Sequence, residues 1–403
     1  MRFWKQTSKP PPEPMLFYFD FANYFKMIRL SWNEAVPKAR YYYLAVLLLA
    51  VPLVSSFHAI CFFLDGILFP GLWKVKVVEP VFMIGHARSG TTLTHRLMGR
   101  DEGRFSSFLL YECYFPSILQ KKLIRLGIAL DERLLGGFLA KRVAAWEERR
   151  YGPSRHMHAM GLTIPDEDDI SLYYSMASGF WITKMPYMGD LDFYHMNDWP
   201  EAKRRRYNDM YRELVRRQLY LNGPEKTHLA KNPLWAGRVE SLVRAFPDAK
   251  FVVNVRDPRD TIPSLLKLVS SGWRQLGWED ARQQKCLRIL ADQSWHTYRH
   301  PLETLAAHPE TRGAVVDYRD LTSDPAAAIE RVYHDLGLPM SDAFRDVLAR
   351  EGKREHKTRH SYSLEEFGLE GDVIREQLGD LFERFQWEAD DAEPRGSSLQ
   401  GDA

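Results

Sequence analysis

The chain has few cysteines, no evident metal-ligand cluster in its sequence and almost no excess of basic over acidic residues. Its 403 residues include only three cysteines, Cys61, Cys113 and Cys286, and none has metal-ligand spacing. A set this small, and odd in number, does not indicate a disulfide framework. It favours a reducing compartment. Fifty-five basic residues face fifty-three acidic ones, for a net charge of +2. This balance gives no electrostatic reason to expect a nucleic-acid partner.

Sequence patterns typical of metal sites are also weak. The pairs His156/His158 and His296/His300 have a spacing that could hold a metal ion, but neither has a third ligand pattern nearby. We therefore expect no metal. The chain also has no internal repeat at the periods typical of solenoids or propellers.

One long hydrophobic segment stands out. Residues 41–64 contain no Lys, Arg, Asp or Glu, and roughly 20 apolar residues are enough to cross a bilayer. The segment begins too far into the chain for an ordinary cleaved signal peptide. Pro52 also allows a re-entrant or interfacial arrangement, and a buried core helix is the remaining alternative. Basic residues flank both ends, so the orientation stays open.

The chain divides into four segments by composition. These are a lead-in over residues 1–40, the hydrophobic membrane-associated segment over 41–73, a catalytic domain over 74–387 and an acidic tail over 388–403, which is predicted to be disordered. Strand patterns at residues 75–84, 250–255 and 314–318 alternate with helical ones, which include residues 110–119 and 131–150. We therefore predict an α/β fold in which a central parallel sheet has helices on both faces.

A candidate phosphate-binding loop follows the first strand. Gly85 and Gly90 bracket four residues, as in a P-loop, but Thr91 stands where nucleotide triphosphatases have lysine. Arg88 supplies the positive charge, and hydroxyl groups come from three neighbours: Ser89, Thr91 and Thr92. The loop and the helix that follows it predict binding of a phosphate-like anion, though not ATP awaiting hydrolysis.

A second anion-binding motif follows the strand at 250–255. Arg256 lies at the end of that strand, and Ser264 lies about two helical turns further on. Because ligands bind at the carboxyl edge of a parallel sheet, this pair could hold a second phosphate. The alternative is a helix start with Asp257 as the cap and Pro258 at the first position, and both descriptions can hold at once.

Together the two motifs resemble the nucleotide-binding signatures of sulfotransferases that use 3′-phosphoadenosine 5′-phosphosulfate (PAPS). The sequence Arg-Ser-Gly-Thr-Thr at residues 88–92 is similar to the loop of the tyrosylprotein and bacterial branches. The resemblance covers about residues 66–387 and includes three further motifs, a Lys-x-Pro turn at 231–233, a Tyr-x-x-Leu segment at 318–321 and a carboxyl-terminal motif at 360–369.

The resemblance implies roles for these residues. The fold would be a P-loop-like three-layer domain, in which the loop from Gly85 to Thr92 binds the 5′-phosphosulfate. Arg88 would lie beside the oxygen that bridges phosphate and sulfate, where leaving-group charge develops. Arg256 and Ser264 would bind the 3′-phosphate, Tyr318 would contact the adenine, and Lys231 would neutralise charge. Basic residues at 353, 357 and 359 would close over the nucleotide, and no metal would be required.

The reaction implied is in-line sulfuryl transfer to an acceptor alcohol or amine, which requires a general base. Glu112 matches a catalytic glutamate of related enzymes. The acidic run at residues 166–169 is the competing source, although it could also be the first turn of a helix; His86 and His95 rank lower.

The acceptor could be a membrane lipid, because the hydrophobic segment lies close to the first strand. A P-loop kinase that uses ATP and Mg²⁺, or an inactive membrane-tethered nucleotide-binding protein, is the alternative. We expect a membrane-associated protein with a cytoplasmic catalytic domain, or a lumenal one if it is a Golgi type II protein. The basic cluster at 203–206 is either a solvated helix face or a contact with anionic lipid.

Overall fold

The computed structural model describes residues 17–152, 160–351 and 364–387. Its centre is a five-stranded, fully parallel sheet with the strand order β2-β3-β1-β4-β5. The strands are β1 (Val81–Gly85), β2 (Phe105–Ser106), β3 (Thr227–Lys231), β4 (Lys250–Val255) and β5 (Gly313–Asp317). In register, Val81 lies opposite Leu229 on one side and Lys250 on the other. All five carboxyl ends therefore meet at one edge.

Fifteen α-helices surround the sheet among the described residues. They are α1 (Phe21–Glu34), α2 (Pro37–Ala45), α3 (Val51–Leu68), α4 (Thr91–Met98), α5 (Leu110–Tyr114), α6 (Ile118–Leu135), α7 (Phe138–Tyr151), α8 (Glu201–Asn222), α9 (Val239–Ala245), α10 (Pro258–Gln275), α11 (Asp280–Ala307), α12 (Tyr318–Ser323), α13 (Pro325–Asp335), α14 (Asp342–Glu351) and α15 (Gly371–Phe385).

The alternation of side chains along the strands creates the three layers. Phe82 and Ile84 point into the larger core, which also contains α8, α10 and α11. Val81 and Met83 point the other way, into a smaller core with α4, α13 and α14. All five residues of β1 are buried, as expected for a parallel strand covered on both faces. The predicted α/β fold with a parallel sheet and flanking helices is confirmed.

The hydrophobic segment forms one long helix. A π-helical turn at Val46–Ala50 joins α2 to α3, and the helix over Ala39–Leu68 is 30 residues long and apolar enough to cross a membrane by length and composition. One face of it packs along the larger core: the Tyr43 hydroxyl donates to the Lys184 carbonyl (2.9 Å), and the Ser55 hydroxyl donates to the Tyr174 carbonyl (2.6 Å). The helix thus lies alongside the catalytic fold.

Three element boundaries differ from the predictions. The first strand begins at Val81 rather than residue 75, because residues 75–80 are irregular and end at Pro80. The helix predicted over 131–150 is interrupted by Gly136 and Gly137, both with positive φ, so α6 and α7 form a helical hairpin. The helix predicted over 110–119 is broken at Pro116 into α5 and the start of α6. The acidic tail lies outside the described residues, and the segment division stays a prediction.

Candidate functional site

The loop between β1 and α4 requires both of its glycines. Gly85 has φ +134° and Gly90 has φ +99°, conformations that side chains rarely adopt. A Cβ on Gly85 would lie 2.2 Å from the Asn254 carbonyl oxygen, and one on Gly90 would lie 2.8 Å from Cδ2 of Tyr318. The loop therefore passes close to both β4 and the start of α12.

Arg88 connects the two anion-binding motifs. It has φ +74°, an uncommon conformation for a residue other than glycine and one that marks functional turns. Its Nε donates a hydrogen bond of 3.1 Å to the Ser264 hydroxyl on α10. Two residues that are 176 positions apart in the chain are thus in direct contact at the carboxyl edge of the sheet.

Ser89 carries a polar group that the protein leaves unsatisfied. Its side chain is fully buried, and its hydroxyl has no hydrogen-bond partner among the described residues. Buried polar groups are almost always paired, so such an exception needs an explanation. Thr91 is buried and Thr92 partly buried at the first turn of α4, where N–H groups lack intrahelical acceptors. Donors without acceptors fit an anionic ligand.

Arg256 and Tyr318 form the far side of the same edge. The Arg256 guanidinium carbon lies 4.4 Å from the centre of the Tyr318 ring, and its Nη2 is 3.1 Å from Oδ2 of Asp260. Asp257 caps α10 by accepting a hydrogen bond from the Arg259 N–H (2.8 Å). Both descriptions of this motif therefore hold, since capping does not use Arg256.

Lys231, the last residue of β3, reaches the acidic run. It is buried, and its Nζ lies 3.5 Å from Oδ1 of Asp166. The next residue, Asn232, accepts a hydrogen bond of 2.9 Å from the Asp169 N–H. The Lys-x-Pro turn thus holds the run at residues 166–169 against the end of β3.

Two members of the acidic run are structural. Asp168 accepts hydrogen bonds of 2.6 Å from the Tyr211 hydroxyl, and its Oδ2 lies 2.6 Å from Nε2 of His228. Asp169 accepts from the Trp235 indole (2.9 Å) and the Ser178 hydroxyl (2.6 Å). Buried carboxylates held in this way anchor the segment to α8 and β3.

Glu167 differs from its neighbours. Its side chain makes no hydrogen bond or ion pair with any residue that the structure describes. Burial raises the pKa of its carboxyl to about 7, against the lowering effect of Lys231 and with a further increase from the neighbouring aspartates. A carboxyl group with a pKa near neutrality and a free side chain can accept a proton at physiological pH.

Glu112 is held tightly. Its Oε2 accepts from the Leu109 N–H (3.1 Å) and the Gln218 amide (2.7 Å), and its Oε1 accepts from Arg125 (3.1 Å). Burial raises the pKa of Glu112, but the charge of Lys121 and these hydrogen bonds outweigh it and leave the pKa below its usual value. Donors occupy both oxygens, so the catalytic role of Glu112 stays a prediction.

The segments that carry the two candidate bases are neighbours. An isolated antiparallel bridge joins Leu109 to Pro165, and the Cys113 thiol donates to the Glu167 carbonyl oxygen (3.8 Å). Glu112 and Glu167 therefore approach the same region from adjacent strips of backbone.

His86 and His95 are buried, and burial lowers the pKa of each to about 4. His86 stacks on Tyr298 of α11 (ring centres 4.9 Å apart), and the Tyr298 hydroxyl donates to the Arg256 carbonyl (2.7 Å). Tyr298 thus ties the first loop to the second motif. The sequence analysis missed it, because no local motif marks a tyrosine in the middle of a long helix.

Some sequence-based candidates fall elsewhere. Among residues 17–152, 160–351 and 364–387, no group of three or more His, Cys, Asp and Glu could hold a metal ion. His296 and His300 stack on each other, with ring centres 4.8 Å apart. The pair at 156 and 158, the basic residues at 353, 357 and 359, and residues 360–363 of the carboxyl-terminal motif lie outside the described residues.

A parallel sheet whose first strand runs through a glycine loop into a helix defines a P-loop-like α/β protein. The chain belongs to the sulfotransferase family, whose profile matches residues 80–342. It is 26% identical over 344 residues to the omega-hydroxy-beta-dihydromenaquinone-9 sulfotransferase Stf3 of Mycobacterium bovis and of Mycobacterium tuberculosis; the match covers 80% of this chain and 82% of each relative.

Solved structures share the fold. Sulfotransferase STF9 from Mycobacterium avium superposes with a TM-score of 0.69 at 17% identity, over 91% of this chain and 92% of that one. Sulfotransferase STF1 from M. tuberculosis gives a TM-score of 0.62 at 19% identity, over 89% and 92%. The predicted family and the transferase class are confirmed, and neither comparison supports the kinase alternative.

Proposed function

We propose that the protein transfers a sulfuryl group from PAPS to the hydroxyl group of a lipid-like alcohol. The observation that carries the donor assignment is the unpaired Ser89 hydroxyl within a glycine loop that Arg88 joins to Ser264. The acceptor class draws on the relative Stf3, whose name gives a hydroxylated dihydromenaquinone as its substrate. The long apolar helix over Ala39–Leu68 supports an acceptor taken from a membrane.

The residues at the sheet edge fit the donor. Hydroxyl and N–H groups of Ser89, Gly90, Thr91 and Thr92 would bind the 5′-phosphosulfate at the N-terminus of α4. Arg256 and Ser264 would hold the 3′-phosphate, and Tyr318 would contact the adenine. When bound, PAPS supplies the sulfuryl group and leaves as adenosine 3′,5′-bisphosphate.

Charge stabilisation falls to Arg88 and Lys231. As the acceptor oxygen forms its bond to sulfur, the bond from sulfur to the phosphate oxygen breaks, and negative charge grows on that oxygen. Arg88 lies within the loop and Lys231 at the end of the neighbouring strand β3, so both cations would face the leaving phosphate. With two preorganised cations in these positions, stabilisation of the leaving phosphate would not require a metal ion.

The acceptor must lose its hydroxyl proton, and we assign that proton to Glu167. This carboxyl group has no partner among the described residues and a pKa near 7, whereas donors hold both oxygens of Glu112. Glu112 is the second candidate, and in this assignment it orients the backbone strip that carries Glu167.

The test is incubation of the purified full-length protein with ³⁵S-labelled PAPS and a membrane-lipid extract, followed by chromatography. A labelled lipid product that is lost in Arg88→Ala is the expected result. Glycan and protein fractions serve as parallel acceptors. Label in neither lipid, glycan nor protein, from a protein that still binds adenosine 3′,5′-bisphosphate, would contradict the proposal and favour a nucleotide-binding protein without transferase activity.

A further inference from the structure

Exposed apolar side chains are concentrated in two parts of the chain. Twenty-four of the thirty large hydrophobic residues that are exposed among the described residues lie either in residues 21–73 or in the hairpin α6–α7. The hairpin contributes ten: Leu123, Leu126, Ile128, Leu130, Leu134, Leu135, Phe138, Leu139, Val143 and Trp146. Soluble proteins rarely expose apolar surface on this scale without a partner to cover it.

The hairpin protrudes from the domain. From residue 122 to residue 150, Asp131 is the only buried residue, and its carboxylate accepts from the N–H groups of Leu139 (2.9 Å) and Ala140 (2.8 Å). This cap fixes the turn between α6 and α7. Leu123, Leu126, Leu130 and Leu134 follow one face of α6 at helical spacing. The protein thus builds an arm whose apolar side is largely exposed among the described residues.

The two apolar regions are physically continuous. Asp65, near the end of α3, accepts hydrogen bonds from the N–H groups of Ile118 (3.0 Å) and Leu119 (2.9 Å) and so caps α6. Gln120 Nε2 of α6 lies 2.8 Å from Nδ1 of His58 on α3. The arm and the long helix therefore start from one buried joint and are held in a fixed relation.

We infer that α3 and the hairpin α6–α7 together form a monotopic membrane-docking surface that inserts into one leaflet of an anionic bilayer. Charge favours this partner: apart from the buried Lys121 and Asp131, residues 118–151 carry seven basic and three acidic side chains, a local excess that the whole chain lacks. Basic residues beside apolar ones match anionic lipid head groups.

A helix that lies in the leaflet accounts for the buried side of the long helix over Ala39–Leu68. Tyr43, Leu47, Val51, Phe62 and Asp65 are all buried against the domain, and they extend over about 33 Å of helix. The domain therefore contacts one side of the helix from Tyr43 to Asp65, as expected of a helix that lies in the leaflet beside the domain rather than crossing the bilayer apart from it. Leu49, Leu53, Phe57 and Ile60 face outward instead.

The hairpin also links the membrane to the site. It lies in the chain between Glu112 and the acidic run at 166–169, the two candidate sources of the base. Delivery of a lipid acceptor along this route depends on the proposed function, whereas insertion into the bilayer does not. Vesicle binding without PAPS therefore tests the inference separately from catalysis.

The first experiment is co-sedimentation of the full-length protein with phosphatidylcholine vesicles, with and without phosphatidylglycerol. The variant Leu134→Ser/Leu135→Ser/Phe138→Ser should lower partitioning by about a hundredfold or more, because three apolar anchors are lost. The control Leu268→Ser/Val373→Ser changes exposed apolar residues outside both regions and should bind as the unmodified protein does. Equal binding of both variants would overturn the inference.

The second experiment measures depth. The three native cysteines are buried, so single exposed cysteines at Leu53, Leu134 or Val373 accept an environment-sensitive dye selectively. Vesicles should shift the emission of the first two labels to the blue and leave the third unchanged. A quencher high on the acyl chains should act more strongly on the Leu53 label than one at the chain end. The reverse order would mean that the helix spans the bilayer.

Self-association is the competing explanation of the apolar surface. Light scattering without vesicles should find a detergent-dependent aggregate or a monomer rather than a defined dimer. A stable dimer that the triple serine variant abolishes, together with no blue shift at residue 134, would assign the surface to a second copy and refute membrane docking.

Discussion

Ser89 lies at the centre of the proposed donor site. Removing its hydroxyl distinguishes a role in ligand binding from a role in protein stability. Removing a buried hydroxyl that has no partner should leave the free energy of unfolding unchanged or slightly increase it. Ser89→Ala should nevertheless weaken adenosine 3′,5′-bisphosphate binding by about tenfold, the effect of one lost hydrogen bond to a charged group. Calorimetric titration and urea unfolding measure the two quantities.

The matched control is Ser175→Ala. That buried hydroxyl donates to the Leu172 carbonyl (2.7 Å), so its removal should cost about 1 kcal/mol of stability and leave nucleotide affinity unchanged. If Ser89→Ala also destabilises the fold and keeps full affinity, the hydroxyl belongs to the protein's own packing.

The pKa of Glu167 gives two linked expectations. As a general base with a pKa of about 7, it should make kcat/KM rise as pH increases through 7, and Glu167→Gln should lower kcat by about 10²–10⁴ and abolish that acidic limb. Glu112→Gln should reduce activity but retain the limb. A limb lost in Glu112→Gln and retained in Glu167→Gln would reverse the assignment.

The pH dependence of protein stability tests the raised pKa of Glu167 independently of catalysis. Because folding raises this pKa, the native state favours the protonated form of Glu167. The stabilisation that results is fully present below the ordinary glutamate pKa and is lost as the pH rises through 7. The difference in stability between Glu167→Gln and the unmodified protein should therefore favour the variant more at pH 8 than at pH 4. A difference in Tm that does not change with pH would show that the pKa is not raised.

The residues that the sequence could reveal are those within local motifs. Gly85, Arg88 and Gly90 follow directly from the spacing of a phosphate loop, and the contact of Arg88 with Ser264 follows from the shared carboxyl edge. Tyr298 and the special position of Glu167 could not be predicted, because both depend on which distant side chains surround them.

Helix α3 is joined to the domain by a buried ion pair. Arg217 of α8 is fully buried; its Nε donates to Asp65 (3.0 Å) and its Nη1 to Glu213 (2.9 Å). Arg217→Met should destabilise the protein by about 3–5 kcal/mol, because it leaves the buried Asp65 carboxylate without its cation, while Glu213 retains its ion pair with Arg216 (2.6 Å). Urea unfolding measures this loss.

An exposed pair provides the comparison. Arg345 and Glu330 lie 3.7 Å apart on the surface, so Arg345→Met should change stability by less than about 1 kcal/mol. Similar losses in both variants would mean that the Asp65 joint contributes little, and that α3 is only loosely attached.

The elements themselves were predicted to different degrees. The strand patterns identified the parallel sheet, since both faces of β1 and β4 are buried and their apolar runs are continuous. The hairpin was not predicted, because Gly136 and Gly137 interrupt a periodic pattern that otherwise reads as one helix. Its membrane-facing character also escaped notice, since charged residues lie among its leucines and no 20-residue apolar run exists there.

At the scale of the whole molecule, the helices before residue 74 are part of the fold rather than an appendage. Met27, Leu30, Leu47 and Phe62 belong to the larger core. A chain that begins at residue 74 should therefore lose cooperative unfolding and aggregate, because it exposes the core face that these residues cover. Circular dichroism with thermal unfolding checks this expectation.

The full chain in detergent is the reference. A soluble, cooperatively folded chain from residue 74 would instead show that the segment before it is a dispensable anchor. The overall P-loop-like architecture was predictable from sequence. The sharing of the larger core between the segment before residue 74 and the domain after it depends on tertiary packing and was not.

The joint between Asp65 and the start of α6 has a kinetic consequence. Glu112 lies just before this joint and Glu167 follows the end of the hairpin, so in the proposed docking mode the two candidate bases flank the part of the chain that would lie in the lipid. Such an enzyme encounters its substrate by two-dimensional diffusion. Its rate should follow the mole fraction of acceptor within the bilayer, and adding inert lipid at constant bulk acceptor should slow it by surface dilution.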